Sequence, residues 1–136
     1  MREINIEATV ENIETVTDFV NDMLMEYNCP IKAQMQIDIA IDELFSNIAR
    51  YAYNPDIGKA TVRVEVVNDP ISVIITFIDC GIPYDPLKHE DPDITLSASE
   101  REVGGLGIFM VKKTMDEVLY EYKDGKNILT VKKNIG

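Results

Sequence analysis

Short turns join two pairs of strand-like segments in this sequence, and that feature limits the possible folds most. The first turn is Asn68-Asp69-Pro70, and the second is centred on Asp124-Gly125. Strands joined by so few residues must run antiparallel, because a parallel pair needs a crossover of about a dozen residues. The segments that alternate apolar and polar residues, as half-buried strands do, cover 2–10, 59–68, 71–79, 117–123 and 127–133. The chain is therefore predicted to contain a mainly antiparallel sheet.

Three further segments are predicted to be helices. Residues 12–27 and 31–53 carry apolar side chains three and four positions apart, which is the spacing of one helix face. Residues 105–116 follow a cluster of glycines. The order β α α β β α β β predicts an α+β fold, a two-layer α/β sandwich with a mixed, mainly antiparallel sheet and helices on one face. We expect residues 1–136 to form a single domain.

The composition argues against several classes of function. The net charge of −11 over 136 residues disfavours nucleic acids and anionic membrane surfaces, because binding to both depends on Lys and Arg. A small anionic ligand stays possible, since local donors and a divalent cation decide its binding. The sequence has no apolar run near the ~20 residues of a membrane span and no signal-peptide pattern at its N-terminus. We expect a cytoplasmic protein.

The two cysteines offer little chemistry. Cys29 and Cys80 are far apart and match no metal-ligand spacing, and His89 is the single histidine. A zinc site or a Cys–His nucleophile is therefore disfavoured. Both cysteines are expected to be reduced thiols in the core.

The second helix carries the first cluster of polar residues that could perform chemistry. It consists of Glu43, Asn47, Arg50 and Asn54, which are four, three and four positions apart and so share one helix face. Taken alone, this stripe is more typical of a solvated helix face than of a site.

A second cluster lies at the end of an apolar strand and consists of Asp79, Cys80, Gly81, Ile82 and Pro83. A carboxylate in that position can accept a hydrogen bond from an amine in an apolar pocket. Gly81 would let a flat ligand approach the backbone, because it has no Cβ. An ordinary strand-to-turn exit is an equally good interpretation, since Asp-x-Gly is common in turns.

The third cluster, Gly104-Gly105-Leu106-Gly107, opens the last helix after a long polar segment. Glycines at a helix start can turn backbone N–H groups toward an anion, and the helix dipole adds to the attraction. We favour a phosphate cradle over a flexible hinge, and the two are compatible. The motif matches neither the Walker pattern nor the dinucleotide fingerprint.

In this order, the three clusters resemble the gyrase, histidine-kinase and MutL ATPase superfamily. The stretch from Glu43 to Asn47 resembles its N-box, Asp79 to Pro83 its first glycine box, and Gly104 to Gly107 its second. The stretch from Gly105 to Val118 is similar in particular to the stress-response anti-sigma-factor serine kinases (RsbW-like). The resemblance implies a Bergerat-type ATP-binding fold.

The resemblance also implies a role for individual residues. Asn47 would ligate Mg²⁺ bound to ATP, and Glu43 would act as the general base. Asp79 would accept the adenine amino group, and Gly81 would admit the ring. The other implied nucleotide contacts are Arg50, Pro83, Gly104, Gly105, Leu106, Gly107, Ile108 and Asn127.

The implied ATP lid covers residues 84–103 and contains Arg101, a candidate phosphate contact. Two positions depart from the family pattern. Arg50-Tyr51 stand where many members carry His-Gly, and Lys126-Asn127 stand where the last strand commonly opens with Gly-Thr. These departures bear on the substrate more than on nucleotide binding.

Two functions of different classes follow from the resemblance. The first is a serine protein kinase that uses Mg-ATP to phosphorylate an anti-anti-sigma (STAS-like) protein and also sequesters a sigma factor. The alternative is an ATP-binding switch that sequesters its partner without significant kinase activity. The resemblance further implies a homodimer paired through its sheets.

Overall fold

The sheet is the central element of the fold. The computed structural model describes residues 1–88 and 105–136. In these residues five strands form one sheet in the order β1-β2-β3-β5-β4, and each neighbouring pair is antiparallel. The strands are β1 (Arg2–Glu7), β2 (Lys59–Val67), β3 (Ser72–Asp79), β4 (Glu117–Lys123) and β5 (Lys126–Asn134). The α+β fold is confirmed, and the strands of the described ranges contain no parallel pair, although the prediction of a mixed sheet allowed one.

The helices are α1 (Ile13–Glu26), α2 (Ile31–Asn47) and α3 (Gly105–Thr114). β1 ends three residues earlier than predicted, because the chain turns away from the sheet there. The side-chain amide of Asn12 donates to the carbonyl of Glu7, and the backbone N–H of Asn12 donates to Thr9. This turn leads into α1 through a short 3₁₀ segment, Val10–Asn12.

The end of the second helix differs from the prediction in a way that affects the site. The α-helical pattern stops at Asn47, and Ile48–Ala52 form a π-helical turn. Hydrogen bonds of the i→i+5 type widen the helix and are frequent at functional sites. Tyr51 and Ala52 of this turn line the cleft described below.

The core lies between the helices and one face of the sheet. Along β3, Val73, Ile75 and Phe77 are buried, whereas the residues between them are half-buried on the opposite face. The predicted apolar stripe of α2 packs on the buried face, with Phe45 fully buried. Burial of a large apolar side chain contributes roughly 1.5–3 kcal/mol. This layer therefore fixes α2 above β3.

Backbone and side-chain contacts join the end of β3 to the end of α2. The Tyr53 hydroxyl accepts a hydrogen bond from the backbone N–H of Cys80 (2.8 Å) and donates one to the carbonyl of Lys59 (2.6 Å). The backbone N–H of Ile82 donates to the carbonyl of Ala52 (3.0 Å). The first residues after β3 are therefore held against the π-helical turn.

The cysteine prediction is wrong for Cys80. Strand alternation buries Asp79, so that Cys80, the next residue, is exposed. Cys29 is half-buried between α1 and α2 rather than enclosed in the core. In the described part of the chain, no helix is both long enough and apolar enough to cross a membrane.

Candidate functional site

A mostly apolar cleft opens between the C-terminal end of α2 and the adjoining ends of β3 and β5. Its empty volume is about 450 Å³, a figure that includes open solvent at its mouth. Three polar residues predicted from the sequence line it together: Asn47, Asp79 and Asn127. The apolar part of its wall consists of Leu44, Ile48, Ala52, Phe77, Ile82, Pro86 and Leu129.

Asp79 is the acidic group of this cleft. It is the last residue of β3 and lies directly opposite Asn127 on β5. Only 6% of its surface is exposed. Its Oδ1 accepts hydrogen bonds from the backbone N–H of Gly81 (2.9 Å) and from the side-chain amide of Asn127 (2.9 Å). Its Oδ2 has no hydrogen-bond partner among the described residues, so this oxygen can accept a bond from a ligand.

The environment of Asp79 opposes its negative charge. Burial raises the pKa of the carboxyl group, and the hydrogen bonds from Asn127 and Gly81 partly lower it again. A buried carboxylate is costly unless donors surround it. A ligand that donates a hydrogen bond to Oδ2 would therefore stabilise the charge.

Asn127 is buried and fully hydrogen-bonded. Its amide N–H groups donate to Asp79 and to the carbonyl of Ile82, and its oxygen accepts from Tyr120 and from the backbone N–H of Tyr84. We expected a direct contact with the nucleotide. In the structure this side chain lines the cleft with its polar atoms already bound to protein.

The N-box residues are only partly brought together. Asn47 lines the cleft, and its side-chain amide has no hydrogen bond to the described residues. Glu43 is half-buried one turn earlier and is not part of the cleft wall. Arg50 is exposed and also absent from the wall. Tyr51 lines the cleft instead.

Glu43 has the electrostatic character of a proton acceptor. Burial raises the pKa of its carboxyl group, the charge of Arg50 lowers it, and the charge of Asp42 raises it. A carboxylate with a raised pKa accepts protons more readily near neutral pH.

The second glycine box is described only from Gly105 onward. A Cβ added at Gly107 would overlap the carboxylate of Glu43, so glycine allows α3 to start directly beside α2. Gly105 and Leu106 form the first turn of α3, while Ile108 is 4% exposed and belongs to the core. A contact between Ile108 and the nucleotide, which could involve only its backbone, stays a prediction.

Several predicted residues lie outside the described ranges. These are Gly104, Arg101, His89 and the larger part of the predicted lid. Of that lid, residues 84–88 are described and include a 3₁₀ turn, Pro86–Lys88.

The first glycine box needs glycine for a reason that the prediction did not include. A Cβ at Gly81 would overlap the carbonyl group and the side chain of Ala52. The close neighbour is therefore the π-helical turn, which the loop after β3 must approach closely. Pro83 is exposed and is not part of the cleft wall.

The tyrosines of the cleft were not predicted from the sequence. Tyr51, Tyr84 and Tyr120 all line it, and the rings of Tyr51 and Tyr84 are 6.2 Å apart between centroids. Tyr51 follows Asn47 by four positions, and Tyr84 is an aromatic residue in a polar segment. Both features are visible in the sequence and could have indicated an aromatic wall.

The geometry suits a flat heteroaromatic ligand that carries an amino group. Apolar and aromatic walls can bind both faces of a ring, and Oδ2 of Asp79 can accept from the amine. An amide oxygen such as that of Asn47 is a ligand type that Mg²⁺ accepts. No group of three or more His, Cys, Asp or Glu residues that could hold a metal by themselves occurs in the described ranges. A cation here would therefore depend on oxygen atoms of the ligand.

Comparisons with known proteins agree with this geometry. Residues 6–133 match the family model of the histidine kinase-like ATPase domain. The chain is similar to a serine-protein kinase RsbW of Bacillus cereus (strain G9842), with 28% identity over 98 residues that cover 69% of this chain and 60% of the relative. It is also similar to the serine/threonine-protein kinase BtrW of Bordetella bronchiseptica, with 25% identity over 100 residues, 74% of this chain and 70% of the relative. The chain thus spans about 60% of the length of the Bacillus relative.

The family model covers most of the chain, and the cleft brings together Asn47 and Asp79 from two of the three predicted clusters, while no described residue of the third cluster is among its lining residues. This chain belongs to the histidine kinase-like ATPase domain family.

Proposed function

We propose that this protein is an ATP-binding serine protein kinase of the anti-sigma-factor type. It transfers the γ-phosphoryl group of Mg-ATP to a serine of an anti-anti-sigma (STAS-like) protein, and it sequesters a sigma factor. The observation that carries this proposal is the buried Asp79 carboxylate in the same apolar cleft as Asn47, with one oxygen that has no hydrogen-bond partner in residues 1–88 and 105–136. The similarity to the serine-protein kinase RsbW and the serine/threonine-protein kinase BtrW supports the kinase class.

At the end of the cleft that binds adenine, Asp79 accepts a hydrogen bond from the exocyclic amino group of the ring. The ring lies between apolar side chains, near Tyr51 and Tyr84. A hydrogen bond to a charged group contributes about 1.5–3 kcal/mol, which corresponds to a ten- to hundredfold preference for adenine over a base without that amine.

At the phosphate end, Asn47 holds Mg²⁺ and the backbone at the start of α3 faces the phosphates. The Mg²⁺ ion neutralises charge on the phosphate oxygens. Arg101 and Gly104 are proposed to complete this end of the site. Phosphoryl transfer requires mainly positioning and charge neutralisation from the protein, which suits a site with few polar side chains.

For the transfer step, Glu43 accepts the proton of the serine hydroxyl as its oxygen attacks the γ-phosphorus. The bond from that phosphorus to the bridging oxygen breaks, and ADP leaves. The half-buried position of Glu43 beside Gly107 supports this role, because a protein hydroxyl can approach it from outside the nucleotide cleft.

We also propose a homodimer formed through the open face of the sheet. Ile78 and Ile128 are opposite each other on that face, and Leu119 on β4 is 60% exposed.

Substitution of Leu119 tests the dimer. Leu119→Glu should shift the dimer to monomer in sedimentation velocity. Tyr122→Glu, on the same strand but the other face, should leave it dimeric. A monomeric wild type at tens of micromolar would contradict the proposal.

Substitution of Glu43 tests the transfer step. Glu43→Gln should reduce phosphorylation of a STAS-domain protein encoded beside this gene by at least about a hundredfold, a typical contribution of a general base. ATP affinity should stay within a few fold. Asp42→Asn, at the exposed neighbouring position, is the matched control and should keep its activity. Undiminished phosphoryl transfer by Glu43→Gln would show that Glu43 is not the general base. A wild type that binds ATP but transfers no phosphoryl group would favour the alternative, an ATP-binding switch.

Substitution of Asn47 tests the magnesium site. Asn47→Ala should weaken Mg-ATP binding by about tenfold or more, because an oxygen ligand of the cation is lost. In EDTA the variant and the wild type should bind ATP equally, as measured by calorimetry. The exposed Asn54→Ala variant should behave as wild type in both conditions. Equal affinity of the wild type with and without Mg²⁺ would contradict the assignment.

Substitution of Asp79 should weaken ATP binding without lowering the stability of the fold. Asp79→Asn keeps an oxygen that can accept from Gly81 and Asn127, but it presents an N–H to the adenine amine. ATP affinity should fall ten- to hundredfold, and the preference for ATP over inosine triphosphate should be lost, because the 6-oxo group of inosine accepts a hydrogen bond.

The same variant should not be less stable at neutral pH. The pKa of Asp79 is raised in the folded protein, so its protonation favours the folded state; this stabilisation is complete below the pKa of the unfolded chain and is lost as the pH rises through the folded pKa. The melting temperature of Asp79→Asn should therefore equal or exceed that of the wild type at pH 7 to 8. Unchanged ATP affinity would contradict the role of Asp79, and Asp56→Asn at an exposed position is the control.

A further inference from the structure

The side chain of Asn127 makes hydrogen bonds to several segments of the chain, which a residue that only contacted a ligand would not need. Its amide nitrogen donates to Oδ1 of Asp79 (2.9 Å) and to the carbonyl of Ile82 (2.8 Å). Its oxygen accepts from the backbone N–H of Tyr84 (3.1 Å) and from the hydroxyl of Tyr120. A carboxamide offers two donors and two acceptor sites. All four are used within the protein.

A side chain with no unused donor or acceptor cannot bind a base without breaking one of these bonds. Asn127 is also only 6% exposed, and the loss of a buried hydrogen bond leaves an unsatisfied group that costs about 1–3 kcal/mol. Its effect on a ligand must therefore pass through a neighbour. That neighbour is Asp79, the cleft residue whose Oδ2 has no partner within the part of the chain that the structure describes.

We propose that Asn127 is a positioning residue for base recognition. It holds Oδ1 of Asp79 with Gly81, so that Oδ2 is kept as the acceptor for the exocyclic amine of an adenine nucleotide. It also fixes the segment from Ile82 to Tyr84 at the edge of the cleft. This inference rests on the proposed adenine site and deepens it by naming what sets its selectivity.

The choice of asparagine follows from the number of donors needed. Asp79 and the carbonyl of Ile82 both require an N–H or O–H from the end of β5. A threonine or serine hydroxyl has one hydrogen and could serve only one of them. The carboxamide serves both and still accepts from Tyr84 and Tyr120. Asparagine at this position therefore makes the carboxylate and the following segment one rigid unit.

Nucleotide selectivity tests the proposal. The measurement is the ratio of the Kd of purine riboside 5′-triphosphate, which lacks the 6-amino group, to the Kd of ATP. In the wild type we expect a ratio of about 10–100. In Asn127→Ala the ratio should fall about tenfold, because ATP binding weakens while the Kd of the analogue stays within about threefold.

Asn134 supplies a matched control on the same strand. It lies at the other end of β5 opposite Ser72, and its oxygen accepts a hydrogen bond from the Ser72 hydroxyl (2.8 Å). Asn134→Ala thus removes an equivalent bond between β3 and β5 far from the cleft. It should leave the selectivity ratio unchanged even if it lowers the melting temperature.

The outcomes separate this inference from the proposed function. A wild type that binds both nucleotides equally would overturn the proposed adenine site. If the wild type is selective and a folded Asn127→Ala variant is equally selective, only the positioning role is overturned. The same conclusion follows if Asn127→Ala loses affinity for ATP and for the analogue to the same extent. If Asn127→Ala does not fold, Tyr120→Phe decides. It removes one anchor of Asn127 and should lower the ratio two- to fivefold, and an unchanged ratio would overturn the inference.

Discussion

The site depends on one buried carboxylate. Asp79 ends β3 inside an apolar cleft, where an ionised side chain is unfavourable unless donors compensate it. Asn127, opposite it on β5, and the backbone of Gly81 supply two such donors to the same oxygen. The pairing of β3 with β5 therefore does more than extend the sheet. It brings the carboxylate and its donors into register, and it leaves one oxygen for a ligand.

The second constraint is the close approach of the loop after β3 to the end of α2. The π-helical turn presents the carbonyl of Ala52 to the N–H of Ile82, and only a glycine at position 81 allows this distance. Tyr53 adds hydrogen bonds to Cys80 and Lys59. The wall that carries Asn47 and the floor that carries Asp79 thus form one unit. Local irregularity in a helix is frequent where a site must be shaped.

Much of the fold could be predicted from the sequence. Short turns around Asp69 and Asp124 required antiparallel pairs, and apolar periodicity gave each helix and strand to within a few residues. The pairing of β3 with β5 could not be predicted from local pattern, because it joins strands that are distant in sequence. In the site, Asn47 and Asp79 were predicted from their motifs. The aromatic walls, the buried state of Ile108 and the exposure of Cys80 were not.

The sequence by itself determined the secondary structure and the chemical groups available to the site. These depend on side-chain period and residue type, which are local properties. Only the tertiary structure decided which of those groups meet. Tyr51 lines the cleft and Arg50 does not, and strand register sets Asn127 against Asp79. Such choices depend on the packing of distant segments and on how many hydrogen bonds a buried group can complete, and no short stretch of sequence contains that information.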